Sequence, residues 1–516
     1  MDKFVVRATD PSDLPPGNQL SIRPERPWCS TTGCKKRVTL LSAYEIHGRI
    51  LPAFKPFLTR LMLSSYSEFA ALNQDQKHPS WFPSRQPRTN VISPFVTTID
   101  FDSKGIYLAS GNNAGRLFIH EFETLYCNAE KGSDQSRALY LRCFPVDKAV
   151  QAVRWNPSNE DEVACVTTGS NLVYFYDVAC ETFLPSEVLK VKSLSGWGEL
   201  GGSVGLFDLA FFKIGKSRLV ACGKDGRVHL WDRRSSKASY ATMTVHDTEP
   251  SRGLNSIQLS SDEQMLYCGS EGGYIYLWDL RGGKNSAFVS SAKDYNQPVA
   301  AIRIENQLRK ISSLRAQTDI CPSSVDAISL NPACEKQLAF HLSCGWSGVL
   351  DMSTLDVTHI HCPPPPWSHI MSDQRDSISV FSTPGVATVP TFQPRTDVRR
   401  RKPVWLNTFP VYAVGSGSDS KVHMLDFTLG PKSRYSLDHY RSNSEKEWQT
   451  ELRTSEAVVA IASHPLNDTL VAGCEEGKLL LIGQKKSSVA EHEISEIDLE
   501  SKVPSGEGSA FGAKAE

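Results

Sequence analysis

Arg218–Arg234 reads RLVACGKDGRVHLWDRR, and Met265–Arg281 reads MLYCGSEGGYIYLWDLR. Each opens with an apolar run, passes through a Gly-bearing turn and continues as an alternating stretch that closes on Trp-Asp. Alternation with period two marks a strand with one buried face, and two such runs around a glycine turn make a β-hairpin. Asp225-Gly226 and Gly272-Gly273 hold the same place in the two turns and are expected to supply the φ > 0 positions of a two-residue connection.

Weaker copies of this grammar run on both sides. They are YLASGNNAGRLFIHEFE from Tyr107, EVACVTTGSNLVYFYDV from Glu162, AFHLSCGWSGVLDMST from Ala339, VYAVGSGSDSKVHMLDF from Val411 and LVAGCEEGKLLLIGQK from Leu470. A further short strand precedes nearly every copy, at Val96, Val150, Leu206, Leu254, Val325 and Val458. The sixth unit is the least regular, and VWLNTFPVYAVG from Val404 is open to reading as a fusion of its first two strands. Glu121, Asp177, Asp232, Asp279, Asp351, Asp426 and Gly483 are then equivalent, which gives seven units with spacings of 56, 55, 47, 72, 75 and 57. Such a unit cannot bury its apolar face alone, so neighbours must stack. The longest connections fall between units four and six.

Composition narrows the function. The 516 residues carry 56 Lys+Arg against 57 Asp+Glu, a formal net charge of −1. That balance excludes a globally basic nucleic-acid binder and a strongly acidic solvating chain, so charge-driven contacts must be local. Met1–Arg7 (MDKFVVR) lacks the apolar core of a secretory signal, and no apolar run approaches the roughly 18–20 residues of a membrane span. The 13 cysteines are odd in number and scattered, several of them inside strand-like runs where a thiol serves as a small apolar group. These features lead us to expect an intracellular, reduced chain of the nucleus or cytoplasm.

The paired hairpins ending in Trp231-Asp232 and Trp278-Asp279 resemble WD repeats, and seven such units resemble an all-β, seven-bladed WD-repeat β-propeller over residues 90–485. The family's Gly-His dipeptide is essentially missing, with His246 the nearest candidate, so its buried Asp-His-Ser/Thr-Trp network is expected to be incomplete.

The flanks differ in composition. Residues 1–37 are rich in Pro, Ser and Arg, and residues 486–516 are poor in apolar side chains; both are expected to be flexible. Residues 38–75 read as a helix-loop-helix arm. Pro56 suits a first helical position and Asn73 a stop, and Phe57, Leu58, Leu61, Met62, Ser65 and Phe69 recur at helical spacing between them. Such a stripe packs either on the propeller's own flank or in a partner's groove.

Catalytic and cofactor signatures are weak. Gly196–Gly201 has the G-x-G-x-x-G spacing, but a strand follows it where a dinucleotide site needs a helix. His359, His361, Cys362 and His369 offer metal-ligating atoms, as do Cys29 and Cys34, yet no second close pair completes either set. No Walker loop, H-E-x-x-H helix or nucleophile elbow occurs. A non-enzymatic chain without metal or cofactor is expected. Arg399, Arg400, Arg401 and Lys402, and Lys35–Arg37, read as solvated loops, nuclear-import signals or, less readily, phosphate contacts.

The informative constellation is W-D-x-R. Equivalent hairpins end in Asp232-Arg233-Arg234 and Asp279-Leu280-Arg281, so Arg234 and Arg281 should emerge side by side on one face from adjacent blades. Two guanidinium forks form a plausible docking surface, because arginine is enriched at interface hot spots. Leu219–Arg234 and Leu266–Arg281 resemble the box of WD-repeat substrate receptors of cullin-4 ubiquitin ligases. The resemblance implies docking on an adaptor of the damaged-DNA-binding type through Arg234 and Arg281, oriented by Asp232 and Asp279, with the arm of residues 38–72 inserted alongside. It also implies a protein target on the opposite face. Two competing expectations are a scaffold of another nuclear assembly, in chromatin or RNA processing, and direct nucleic-acid binding through Arg399–Lys402.

Overall fold

The computed structural model describes residues 63, 66–73, 94–131, 140–192, 205–245, 253–281, 297–311, 324–361, 401–416, 420–427, 436–438 and 449–484. In it, the two quoted hairpins are the second and third strands of two four-stranded sheets. Leu219 faces Trp231 in one antiparallel ladder, and Leu266 faces Trp278 in the other. Blade 3 is Leu206–Phe211, Arg218–Gly223, Arg227–Asp232 and Ala241–Thr244. Blade 4 is Leu254–Leu259, Met265–Ser270, Tyr274–Asp279 and Ala300–Arg303. Seven such sheets are present, the fifth widened by Ser436–Asp438 running parallel to Val357–His361. The chain folds as the seven-bladed β-propeller that its sequence pattern predicts.

Burial explains why neighbours are required. Among the described residues seven apolar clusters form, and each is shared by two adjacent blades. Val153 and Val163 of blade 2 pack with Leu117 and Ile119 of blade 1, and Trp231 packs with Val166 and Phe175 of blade 2. Six inner strands carry the same bulge near their start, as between Val96 and Thr98 or between Leu206 and Asp208. A bulge sharpens local twist and re-aims a side chain. In three blades the residue just past it ties down the next blade. Thr98 accepts the Val153 N–H at 3.3 Å, Asp208 the Ile257 N–H at 3.2 Å and Ser256 the Ile328 N–H at 3.2 Å.

The ring closes through residues far apart in sequence. Blade 7 takes Val458–Ser463, Leu470–Cys474 and Lys478–Gln484 from the end of the repeats, and its fourth strand is Tyr66–Asn73, antiparallel to Lys478–Gln484. This corrects the helical reading of the segment reaching Asn73: from Tyr66 onward it is strand. A bulge between Glu68 and Ala70 breaks the two-residue alternation there, and the surviving apolar spacing mimics a helix. The propeller therefore also extends beyond the expected 90–485.

Three further corrections are local. The hairpin turns of blades 3 and 4 are three-residue connections in which only Gly226 (φ 69°) and Gly273 (φ 77°) are left-handed, a type I turn with a glycine bulge. Val404–Trp405 and Val411–Gly415 are separate paired strands, so blade 6 is not fused at its start. A helix missed in the sequence, α1 (Phe122–Lys131), occupies the connection between the third and fourth strands of blade 1 and packs through Phe122, Leu125 and Tyr126. A second, short helix, α2 (Ile304–Arg309), follows blade 4. Among the described residues, no helix is long and apolar enough to cross a membrane.

Candidate protein-docking face

Strand direction fixes the faces. Connections between second and third strands lie on one side of the propeller; those between first and second, and between third and fourth, lie on the other. Asp232 and Asp279 end third strands, so both W-D-x-R sequences turn on this second side. Asp232 Oδ1 accepts the Arg234 N–H at 3.0 Å, and Asp279 Oδ1 accepts the Arg281 N–H at 2.8 Å. These matching side-chain turns release the chain with Arg234 and Arg281 outward, their side chains 79% and 59% exposed. Burial alone would raise the Asp232 carboxyl, but bonds from the Arg234 backbone and side chain and from Ser217 outweigh it and hold Asp232 below the usual carboxylate range. Contacts from the two guanidinium groups back to their own aspartates are long, 3.5 and 3.9 Å, so both groups are positioned without being sequestered.

The residue between Asp and Arg does something different in each blade. Arg233 turns inward. Its Nη1 and Nη2 each lie 2.7 Å from a Glu162 oxygen, its Nε lies 2.6 Å from Glu187, and its guanidinium lies 4.2 Å from the centre of the Phe175 ring. All three partners belong to blade 2, which makes Arg233 an inter-blade clamp. Leu280 instead joins the apolar cluster between blades 3 and 4. Two adjacent arginines in WDRR thus have opposite fates, which the sequence reading did not separate.

This side carries a second feature that the sequence reading missed. Among the described residues, the exposed large apolar side chains are Ile106, Leu141, Phe183, Leu184, Ile214, Val299 and Leu466. Every one lies in a first-to-second or third-to-fourth connection, on the face of Arg234 and Arg281. Singly exposed apolar side chains are ordinary on a protein surface, but here all of them share one face. The signal was present in sequence as lone aliphatic residues inside polar loops, but only topology assigns those loops to one face. The opposite side presents the tight turns, such as Asn112–Gly115 and Lys224–Gly226, with residues of mixed charge.

Other sequence candidates fall elsewhere. Phe57, Leu58, Leu61 and Met62 lie outside the described residues, as do Cys29, Cys34, Lys35–Arg37, Gly196–Gly201, His246, Cys362, His369, Arg399 and Arg400. Leu63 is helical and buried beside Tyr66 in the cluster between blades 6 and 7, and the Tyr66 hydroxyl donates to the Asp468 carbonyl at 2.9 Å. His359 and His361 are buried in blade 5. Among the described residues, no group of three or more His, Cys, Asp or Glu is arranged to hold a metal.

Lys402 corrects the exposed-loop expectation. Its backbone pairs with Val459 and Ile461 of blade 7, and its ammonium donates to the Gln151 carbonyl of blade 2. It lines a central cavity of 270 Å³ with Asp100, Arg154 and Asp208. Arg154 and Asp208 pair there at 2.7 Å. Poor solvation pushes the Asp100 carboxyl up to about 6 despite the pull of Arg154 and a bond from the Trp155 N–H.

The chain resembles known proteins over parts of its length. A family model described as Nucleolar protein 10-like, N-terminal domain, matches residues 206–324, which begin with blade 3 and include blade 4. WD repeat-containing protein 91 homolog of Dictyostelium discoideum is 24% identical over 229 residues, covering 40% of this chain. Meiotic fizzy-related protein 1 of Schizosaccharomyces pombe is 28% identical over 96 residues, or 19% of this chain. The matches span only 28% and 21% of those proteins' own lengths. Sheet topology, repeat grammar and these similarities agree: the chain is a WD-repeat β-propeller, a fold whose members typically act as protein-interaction platforms without catalysis of their own.

Proposed function

We propose that this propeller is a substrate receptor of a cullin-4 ubiquitin ligase, docking on a damaged-DNA-binding-type adaptor through Arg234 and Arg281 and holding a target protein on its opposite face. One observation carries the reading: two W-D-x-R arginines leave adjacent blades through matching Asp turns, both exposed, on the face that gathers the exposed apolar side chains. The role needs no chemistry in this chain. Holding a target near a partner's transfer site raises its effective concentration. Tyr66 enters blade 7 beside Asp468, at the edge of the same face, so an arm preceding it would start where docking takes place.

The test is binding of the purified chain to the adaptor, wild type beside the Arg234→Ala, Arg281→Ala double variant. Two hot-spot losses of about 2 kcal/mol each weaken binding roughly a thousandfold. Wild-type binding that the double variant retains removes the arginines from the interface, and no wild-type binding removes the ligase role.

A second reading, a scaffold in nuclear RNA processing, is favoured by the match of residues 206–324 to the nucleolar-protein model. It predicts co-purification with precursor ribosomal RNA-protein particles in place of the adaptor.

A further inference from the structure

The foot of blade 3 holds a groove of 650 Å³ lined by Ile214, Lys216, Arg218, Asp232, Arg234 and Tyr240. Its floor is preformed: the Ile214 N–H donates to Glu263 of blade 4 at 2.7 Å, and the Gly215 N–H donates to the same carboxylate at 3.4 Å. That fixed turn presents Ile214 with 73% of its surface exposed. Around it the charge is one-sided. Lys213, Lys216, Arg234 and Lys237 are exposed, and the Arg218 guanidinium lies 4.8 Å from the centre of the Phe212 ring. Asp232, the carboxylate of the lining, is already engaged by the Arg234 turn, and Glu263 by the Ile214 turn.

We infer that this groove receives an acidic segment of a partner protein carrying an aliphatic anchor, its carboxylates against Lys216 and Arg234 and its anchor on Ile214. Charge complementarity selects an anionic partner and the exposed Ile214 selects a peptide, since single-stranded nucleic acid is held by aromatic stacking platforms and the one aromatic side chain of the lining, Tyr240, is half-buried. A preformed floor lowers the ordering cost of binding. The inference rests on reading this side as the docking face, but not on which protein docks.

The experiment follows fluorescence anisotropy of a labelled EELEEIDE peptide with the full chain. The expected result is saturable binding weakened about tenfold by Ile214→Ser, about tenfold by Lys216→Glu, and likewise by replacing the peptide's Leu and Ile with Ser. An unchanged melting temperature in both variants shows that they stay folded. No binding, or binding indifferent to both variants, overturns the inference. So does displacement by single-stranded RNA at lower concentration than by peptide, which assigns the groove to nucleic acid. Self-association abolished by Ile214→Ser assigns it to a second copy. Binding that appears only after removal of residues 485–516 assigns it to the chain's own acidic stretch EHEISEIDLE, residues 491–500. Adaptor binding that survives both variants while the peptide fails leaves the ligase reading standing and removes this one.

Discussion

Blades 3 and 4 share a seventeen-residue grammar yet hold themselves together differently. In blade 3, His229 lies 3.0 Å from Asp225, the Trp231 indole N–H donates to the Lys190 carbonyl at 3.1 Å, and Arg233 clamps two glutamates of blade 2. In blade 4, Tyr276 and Gly272 stand in place of His229 and Asp225, the buried Trp278 indole nitrogen has no hydrogen-bond partner among the described residues, and Leu280 packs apolar. The preceding blade explains the last difference. Glu162 begins the second strand of blade 2 opposite Asp177, and Arg218 begins the second strand of blade 3 opposite Asp232. An arginine after Asp232 therefore meets a carboxylate, whereas one after Asp279 would meet another guanidinium. The variable position of W-D-x-R is written for the neighbouring blade, and the terminal arginine for whatever lies outside.

The buried indole is the element that the two blades share. Trp231→Ala and Trp278→Ala each remove a fully buried indole and are expected to cost about 3–5 kcal/mol, read by denaturant unfolding. Phenylalanine separates the blades. Trp231→Phe removes one of the two N–H groups that donate to the Lys190 carbonyl and leaves it the Ser239 N–H, while Trp278→Phe removes an N–H with no partner among the described residues, so the first should cost about 0.5–1 kcal/mol more.

The clamp comes next. Arg233→Ala removes the cation between Glu162 and Glu187 in a mostly buried site and leaves Glu162 the Asn156 amide, and a loss of about 2–3 kcal/mol is expected. Leu280→Arg is expected to destabilise by about 1–2 kcal/mol through repulsion from Arg218 and loss of packing; adding Arg218→Glu should recover part of this in a double-mutant cycle. An additive cycle would show that the two positions do not face each other.

A pH titration separates buried networks from exposed ones. Burial pushes the His341 imidazole down to about 3, so the folded chain keeps it neutral while the unfolded chain protonates it below about 6.5. The unfolded state then binds more protons, and stability should fall as pH drops from 6.5 toward 3, by at most about 1.4 kcal/mol per unit. Asp100, pushed up to about 6, works oppositely between about 4 and 6, because there the folded state holds the extra proton. His341→Gln should therefore flatten the acid limb of a melting-temperature profile, and Asp100→Asn should steepen it. The smallest expected effect belongs to Arg234→Ala and Arg281→Ala, within about 0.5 kcal/mol of wild type in unfolding, because both side chains face solvent. A larger loss would make them structural and weaken their assignment to docking.

Fold and site were legible to different depths. The blades could be read because buried strands around a left-handed glycine leave a short-range pattern, as at Leu219–Trp231. Tyr66–Asn73 could not: its partner strand lies some four hundred residues away, and the bulge at Glu68/Ala70 erases the alternation. Arg234 and Arg281 could be assigned to a common face from sequence because equivalent hairpins end alike. Arg233 was not distinguished, since its partners Glu162 and Glu187 come from another repeat. Lys402 was misjudged for a similar reason, its surroundings being blades 2 and 7. Ile214 and Leu466 gave no signal until the loops were sorted by face.

Ring closure by Tyr66–Asn73 has a consequence for biosynthesis. Chains leave the ribosome from the N-terminus at roughly 5–20 residues per second, so this strand waits roughly 20–80 s before Lys478–Gln484 emerges to receive it. During that interval blade 7 does not exist, and the nascent chain presents an unpaired edge at each end of a growing crescent. A folding helper that shields those edges would act before the last repeat is translated, and a stop codon anywhere upstream of residue 478 would leave the crescent permanently open.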